Sequence, residues 1–290
     1  METIVAILLA ALVAGSIYAL VASGLSLVWG TLGVFNFAQG SLLMLGAYAA
    51  YFLGASASGR NGLITGVPAS LLLLGLGGVL LYFLAVRPFV GTASGELSVI
   101  IATLAAGTFL EYGALQFFGG TFRKLPALIP GNFTFLGVAV DWQQVIIIVV
   151  APAILLGLAF ILRVTKTGLA VRAVAQNEDS ALLLGIAVSR VYMLTFFVAT
   201  LLAALAGILF AGQYFLTPSM GNILLMQAFI VVVFGGLGSL TGTVMAAYIV
   251  GLITAVSNYY IGLFWTPAVL FAFLFFAVLV RPTGLVSSSR

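Results

Sequence analysis

Six carboxylates and ten lysines and arginines make up the whole side-chain charge of this 290-residue chain, which contains neither cysteine nor histidine. That inventory excludes disulfides, thiolate or imidazole metal sites, a Ser-His dyad and a histidine proton relay. No Gly-x-x-x-x-Gly-Lys-Ser/Thr loop occurs, so the chain has no P-loop to cradle ATP phosphates. Two polar groupings remain. One runs from Arg163 to Arg190 and holds Lys166, Arg172, Glu178 and Asp179; the other sets Asn36 and Gln39 around Phe37, next to Gly40. Glu111 stands apart, near one end of an apolar run beside Tyr112 and Gln116. An acid inside a membrane span is a functional candidate, and a side chain reaching the interface is the plainer account of it.

The longer grouping reads as a small docking element. Asn177 is a favoured N-cap, Glu178 and Asp179 put negative charge on a first helical turn, and Gly185 is a natural stop. The spacing predicts one short helix of about 10 Å that presents Ala181, Leu182 and Leu184 beside the acids. Apolar side chains in a charged loop need something to cover them. Lipid headgroups are one cover, although an acidic helix start suits an anionic leaflet poorly. A second protein is the other, which makes this a coupling helix.

The elements that must position these residues follow from composition. Hydrophobic residues fill 63% of the chain and charged residues 6%, whereas soluble domains carry roughly a quarter charged. Mean hydropathy is +1.31, and the stretches 145–162, 191–248 and 249–280 carry no charge. A bilayer core takes about 20 such residues per helix. Lipid offers backbone amides no partners, and the runs lack the period-two alternation of barrel strands. The expected fold is an all-α integral membrane protein, a polytopic bundle of about eight to nine transmembrane helices. It forms one transmembrane domain over 1–290, with 163–190 as a cytoplasmic loop within it. Spans are expected near 4–28, 37–55, 63–86, 97–118, 143–162, 191–213, 223–237, 243–262 and 266–280, with a broken or re-entrant connection around 29–41. The first apolar stretch has no basic region before it and is long for a signal-peptide core, so it reads as a retained helix.

Alternating along those spans, one face receives Arg87, Arg163, Lys166, Arg172, Arg190, Arg281 and Arg290, and the other Arg60, Arg123 and Lys124. The excess marks the cytoplasmic face, placing the N-terminus outside and the C-terminus inside. The net charge of +4 therefore reports orientation rather than affinity for nucleic acid. Val28 to Gly33 resembles Val233 to Gly238, and Val86-Arg87-Pro88 matches Val280-Arg281-Pro282. These pairs fit either an internal repeat of spans 1–3 and 7–9 in one orientation or convergent helix stops. Ala199, Ala203, Gly207 and Ala211 form a small-residue ridge suited to close helix packing.

Polar groups at a helix break can line a pathway, which makes Asn36, Phe37, Gln39 and Gly40 candidates. Capping helix ends at the cytoplasmic interface explains Asn36 and Gln39 equally. Gly235, Gly236 and Gly238 fit a gate hinge or a tight interhelical turn. Thr103 can face the bundle interior or bond back to its own helix.

The ordered set resembles the permeases of bacterial branched-chain amino acid ABC importers, the shorter of their two permease types. Arg172-Ala173, Ala175-Gln176, Ala181, Leu184-Gly185 and Arg190 are similar to that family's cytoplasmic coupling segment. Asn36-Phe37-Ala38-Gln39-Gly40, Arg87-Pro88 with Ile101 to Leu104, Gly235-Gly236-Leu237-Gly238-Ser239 with Gly242, and Val280 to Leu285 resemble other stretches of it, in order along nearly the whole chain. Gln39 stands where the family commonly has histidine, and Thr241 where it commonly has proline. Glutamine keeps hydrogen bonding but does not titrate near neutral pH.

The resemblance implies a multi-pass permease of the bacterial inner membrane with no cofactor and no catalysis of its own. ATP would be bound by two cytoplasmic ATPase subunits, beside a second permease and an extracytoplasmic solute-binding protein. Arg172, Asn177, Glu178, Ala181, Leu182, Leu184 and Gly185 would couple to the ATPases. Asn36, Phe37, Gln39, Gly40, Thr103, Gly235, Gly236 and Gly238 would line or gate the pathway. Branched-chain or similar amino acids are the expected cargo, with urea, amides or simple sugars as alternatives. An ion-coupled secondary transporter and a passive channel are the competing classes.

Overall fold

The computed structural model describes residues 1–55, 60–92, 94–126, 129, 131–282 and 284–286, with the side chains of 55, 60, 61 and 63 outside that description. Arg290, and Thr283 within the stretch Val280 to Leu285, lie outside the described residues, as does the side chain of Arg60. Apolar helices appear at each of the expected spans. They are α1 (Glu2–Leu32), α2 (Gln39–Ala55), α3 (Arg60–Leu81), α4 (Gly95–Phe118), α5 (Trp142–Val164), α8 (Val188–Gln213), α9 (Met220–Gly235), α10 (Leu240–Tyr260) and α11 (Thr266–Val280). Two short polar helices, α6 (Lys166–Gln176) and α7 (Glu178–Leu183), fill the loop between α5 and α8. A small antiparallel hairpin, β1 (Asn132–Phe135) with β2 (Val138–Asp141), joins α4 to α5.

Helix length explains the architecture. The 31 residues of α1 extend about 46 Å, well beyond the roughly 30 Å hydrocarbon layer. The 17 residues of α2 and 16 of α9 reach only about 25 Å. Both short helices follow a long one and start inside the bundle. After α1, residues 33–38 turn back, and Gln39 opens α2 beside Ala199 of α8, about 17 Å along α8 from Val188. After α8, residues 214–219 turn back likewise before α9 begins at Met220.

The two starts meet. A Cβ on Gly40 would lie 2.6 Å from the Gly221 carbonyl oxygen, and one on Gly221 would lie 2.2 Å from that of Gly40. From this reciprocal contact the half-length helices leave in opposite directions. The far end of α2 reaches Phe118 and Arg123, whereas α9 ends beside Gly242 and the C-terminal segment. The packing carries the relation further: α1 lies on α10 as α8 lies on α3, and α1 touches α9 as α8 touches α2. The chain is thus built from two inverted halves, α1–α4 and α8–α11, of the kind common in transporters.

This correspondence differs from the same-orientation pairing suggested by the glycine and Arg-Pro motifs. Those motifs do end helices on one face, and Gly30 packs against Gly238 there. They match because helix ends at one interface make the same local demands.

The ridge on α8 does what its spacing implies. Ala199, Ala203 and Ala211 are fully buried, and Gly207 admits the Leu43 carbonyl so closely that a Cβ would lie 2.1 Å from it. α3 runs into a π-helical turn at Tyr82–Val86, where Tyr82 and Ser189 hydroxyls meet at 3.0 Å.

Candidate functional site

The loop between α5 and α8 is folded throughout. Thr165 caps α6, its hydroxyl accepting from Gly168 N–H at 3.0 Å, and Gly168 packs on Leu162 where no side chain would fit. Val171 and Val174 turn inward, while Arg172 stays exposed and donates to the Arg163 carbonyl at 3.3 Å. The expectation of a single short helix missed α6, because only those few inward residues mark its buried face.

α7 follows the predicted chemistry. Asn177 Oδ1 accepts from Ser180 N–H at 2.8 Å, with Glu178 and Asp179 in the first turn. The helix closes where Gly185 takes φ +80° and Ile186 N–H reaches back to the Ala181 carbonyl at 3.0 Å. That left-handed cap strains any other residue.

Ala181 needs correction: it is 1% exposed and packs with Val171, Val174 and Tyr192, so it seats the helix rather than presenting it. Leu182, Leu183 and Leu184 are 52%, 89% and 79% exposed. Leu183 was not singled out from sequence, because a short helix ending in a glycine cap splays consecutive residues outward. The result is an uncovered apolar cluster on the face that bears Arg163, Lys166, Arg172 and Arg190.

The helix break is a closed hydrogen-bonded knot. Asn36 Oδ1 accepts from Ala38 N–H at 3.1 Å and its amide donates to Gln39 Oε1 at 3.4 Å. Gln39 Nε2 donates to the Ala199 carbonyl at 3.0 Å. Thr103 accepts from Phe37 N–H at 3.3 Å and donates back to Ile100 at 3.1 Å, so it faces inward and bonds to its own helix. Asn36, Gln39 and Thr103 are at most 1% exposed. The break lies within the bundle, not at an interface, and its polar side chains bond to each other and to backbone that lipid cannot satisfy. Gly40 makes the crossing with Gly221 described above.

The late glycines form a tight turn. Gly236 and Gly238 take φ +101° and +79°, Gly235 packs against the Gly242 carbonyl, and Leu285 N–H donates to Phe234 at 2.9 Å. The C-terminal segment thus ties the turn down.

A groove of about 930 Å³ opens between α2, α3 and α4, lined almost entirely by apolar residues such as Leu45, Leu74, Leu81, Ala106 and Phe109, with Tyr48 the one side chain there that carries a polar atom. With a single tyrosine hydroxyl and no charged group to orient a solute, it suits acyl chains better than a polar cargo. Polar chemistry sits elsewhere. Both Glu111 carboxylate oxygens accept from Asn222 Nδ2, at 2.9 and 2.8 Å. Sequence reasoning sent Glu111 to the interface and missed Asn222, which it left just outside a span. The cue was one amide at the edge of an uncharged run.

The family described as the branched-chain amino acid transport system permease component matches residues 7–280. The chain belongs to that family. The permease is 31% identical over 288 residues to BraD, a high-affinity branched-chain amino acid transport system permease protein of Pseudomonas aeruginosa, covering 95% of this chain and 93% of BraD. It is 31% identical over 290 residues to LivH of Escherichia coli K12, covering 94% and 92% of the two chains. LivH of Methanocaldococcus jannaschii shares 29% identity over 264 residues, 88% of this chain and 81% of that one. The permease is a multi-pass membrane protein of a transport system.

Proposed function

We propose that this permease carries branched-chain or chemically similar amino acids inward across a bacterial inner membrane, by alternating access driven by separate ATPase subunits. The observation that carries the coupling is α7: a capped helix seated by Ala181, holding Leu182, Leu183 and Leu184 uncovered at the membrane surface. Closure of an ATPase pair against those leucines would move α6 and α7, and with them α8. The relatives' transport of branched-chain amino acids supports the cargo. The chain has no P-loop of its own, which supports placing ATP on the partner subunits and a transport role for the permease.

A second permease subunit would cover α4 and α11. These are counterparts in the two inverted halves, and both are poorly covered: α11 buries only Thr266 and Leu270, and α4 only Val99, Thr103, Gly107 and Ala114. An extracytoplasmic binding protein would deliver cargo on the opposite side. Arg87, Arg163, Lys166, Arg172, Arg190 and Arg281 share the α7 face, and Arg123 and Lys124 the other, which supports a cytoplasmic α7, an outer N-terminus and an inner C-terminus.

Purification from the native membrane in mild detergent, then reconstitution with L-leucine outside and ATP inside, tests the reading. Co-purifying ATPases and leucine uptake that survives collapse of ion gradients are expected. Uptake by an intact preparation free of ATPase would establish a secondary transporter or channel instead. Orientation has its own test, since the chain has no cysteine. In sealed cells an impermeant maleimide should label Lys124→Cys and leave Asn177→Cys untouched; the opposite pattern reverses the topology.

A further inference from the structure

Glu111 and Asn222 are the polar pair that coupling and helix packing leave unused. Gly107 of α4 packs against Ala38 at the helix break, where a Cβ would lie 3.2 Å from the Ala38 Cα. Glu111 stands one turn farther along α4, about 6 Å, and so lies at membrane depth. It is only partly covered, and Asn222 is exposed. Among the described residues no lysine or arginine lies in the interior of a spanning helix. Among the described residues the carboxylate has one neutral amide and no cation to offset its charge.

A carboxylate at this depth is costly against hydrocarbon, by about 3 kcal/mol even on the lowest scales. The surface formed by α4 and the head of α9 must then face protein or water, and its charge calls for a countercharge from outside the chain. Asn222 is the third residue of α9, a half-length helix starting inside the bundle. Its N-terminal end concentrates positive partial charge, and broken helices in transporters aim such ends at anionic groups of substrates. Negative and positive poles thus lie side by side at one level.

We infer that Glu111 and the head of α9 form a transit site for the zwitterionic end of an α-amino acid. The cargo ammonium pairs with the Glu111 carboxylate, while its carboxylate accepts from the Asn222 amide and faces the α9 terminus. The hydrogen bond between Glu111 and Asn222 holds both in register and opens to admit cargo. This inference rests on the transport reading above and narrows it, because urea, simple amides and sugars carry no such charge pair.

Glu111→Gln is the informative change. It preserves shape and an acceptor for Asn222 while removing the charge, so a merely structural pair survives it. In the complete complex, reconstituted with binding protein and L-leucine outside and ATP inside, E111Q is expected to lower uptake at least tenfold. It should leave subunit stoichiometry and melting temperature unchanged, and Glu111→Asp should recover a large part of the rate. Wild-type uptake by E111Q overturns the transit site while ATP-driven uptake by the parent complex still upholds the importer. Loss of the second permease on purifying E111Q also overturns it, assigning Glu111 to a subunit interface. A parent complex that carries no leucine on ATP removes the transport reading, and the site with it.

Discussion

Replacing Leu183 and Leu184 together by aspartate is expected to abolish ATP-driven uptake while the permease still inserts and folds. The two side chains are 89% and 79% exposed, so their loss removes almost no internal packing; surface changes of this kind usually stay within about 0.5 kcal/mol. In the proposed complex the same leucines are the apolar anchors of the ATPase contact. Anchors at an interface centre are typically worth about 2 kcal/mol each on truncation, and aspartate adds a buried unpaired charge. The pair together should weaken ATPase docking about a thousandfold. The variant should purify as a monodisperse permease, lose the ATPases on a size-exclusion column and show no leucine accumulation. Normal uptake by the double variant would remove α7 from the coupling pathway. Ala181→Asp should behave differently, because Ala181 is buried against Val171, Val174 and Tyr192. It unseats α7 from its own chain and lowers the melting temperature.

The second large effect lies at the crossing of the half-length helices. Gly221→Leu should yield little or no folded permease. Even a single Cβ there would lie 2.2 Å from the Gly40 carbonyl oxygen and 2.6 Å from its carbonyl carbon. The obstacle is backbone, held by the Asn36–Gln39 knot, so it cannot rotate aside as a side chain can. Overpacking usually costs 1–3 kcal/mol, and a rigid backbone contact shared by both halves places this case at about 3 kcal/mol or above. Gly221→Ala should already lower the melting temperature. Gly157→Ala is the control: nothing lies within 4 Å of its added Cβ, and alanine favours the helix by up to about 1 kcal/mol. Thermal unfolding in detergent separates the two, and equal melting temperatures for G221A and G157A would refute the tight crossing.

Helix content, the placement of the spans and the caps of α7 were legible in the residue order because each is a local property. A run of about 20 apolar residues is a span whatever it packs against. Asn177 caps and Gly185 stops a helix through bonds to backbone a few residues away. Even α6 could have been read from Thr165 bonded three residues on and from the inward spacing of Gly168, Val171 and Val174. The ridge on α8 likewise announced close packing, since small residues at helical spacing leave nothing else for that face to do.

Relations between distant segments were not legible. Gly40 and Gly221 meet across 181 positions, and their two halves share little beyond a glycine, one polar residue and an apolar run, too short a pattern to single out in a chain this rich in glycine and apolar residues. The local glycine and Arg-Pro matches therefore suggested a parallel repeat, where packing shows an inverted one. Gln39 could cap at an interface or line a path until its depth beside Ala199 was known. Glu111 and Asn222 likewise become a site only when folding brings α4 against the head of α9. Composition and periodicity settle which segments leave water, because transfer into lipid is paid for residue by residue. Which polar groups then meet inside the bundle depends on helix crossings set by packing, and no stretch of the chain encodes those alone.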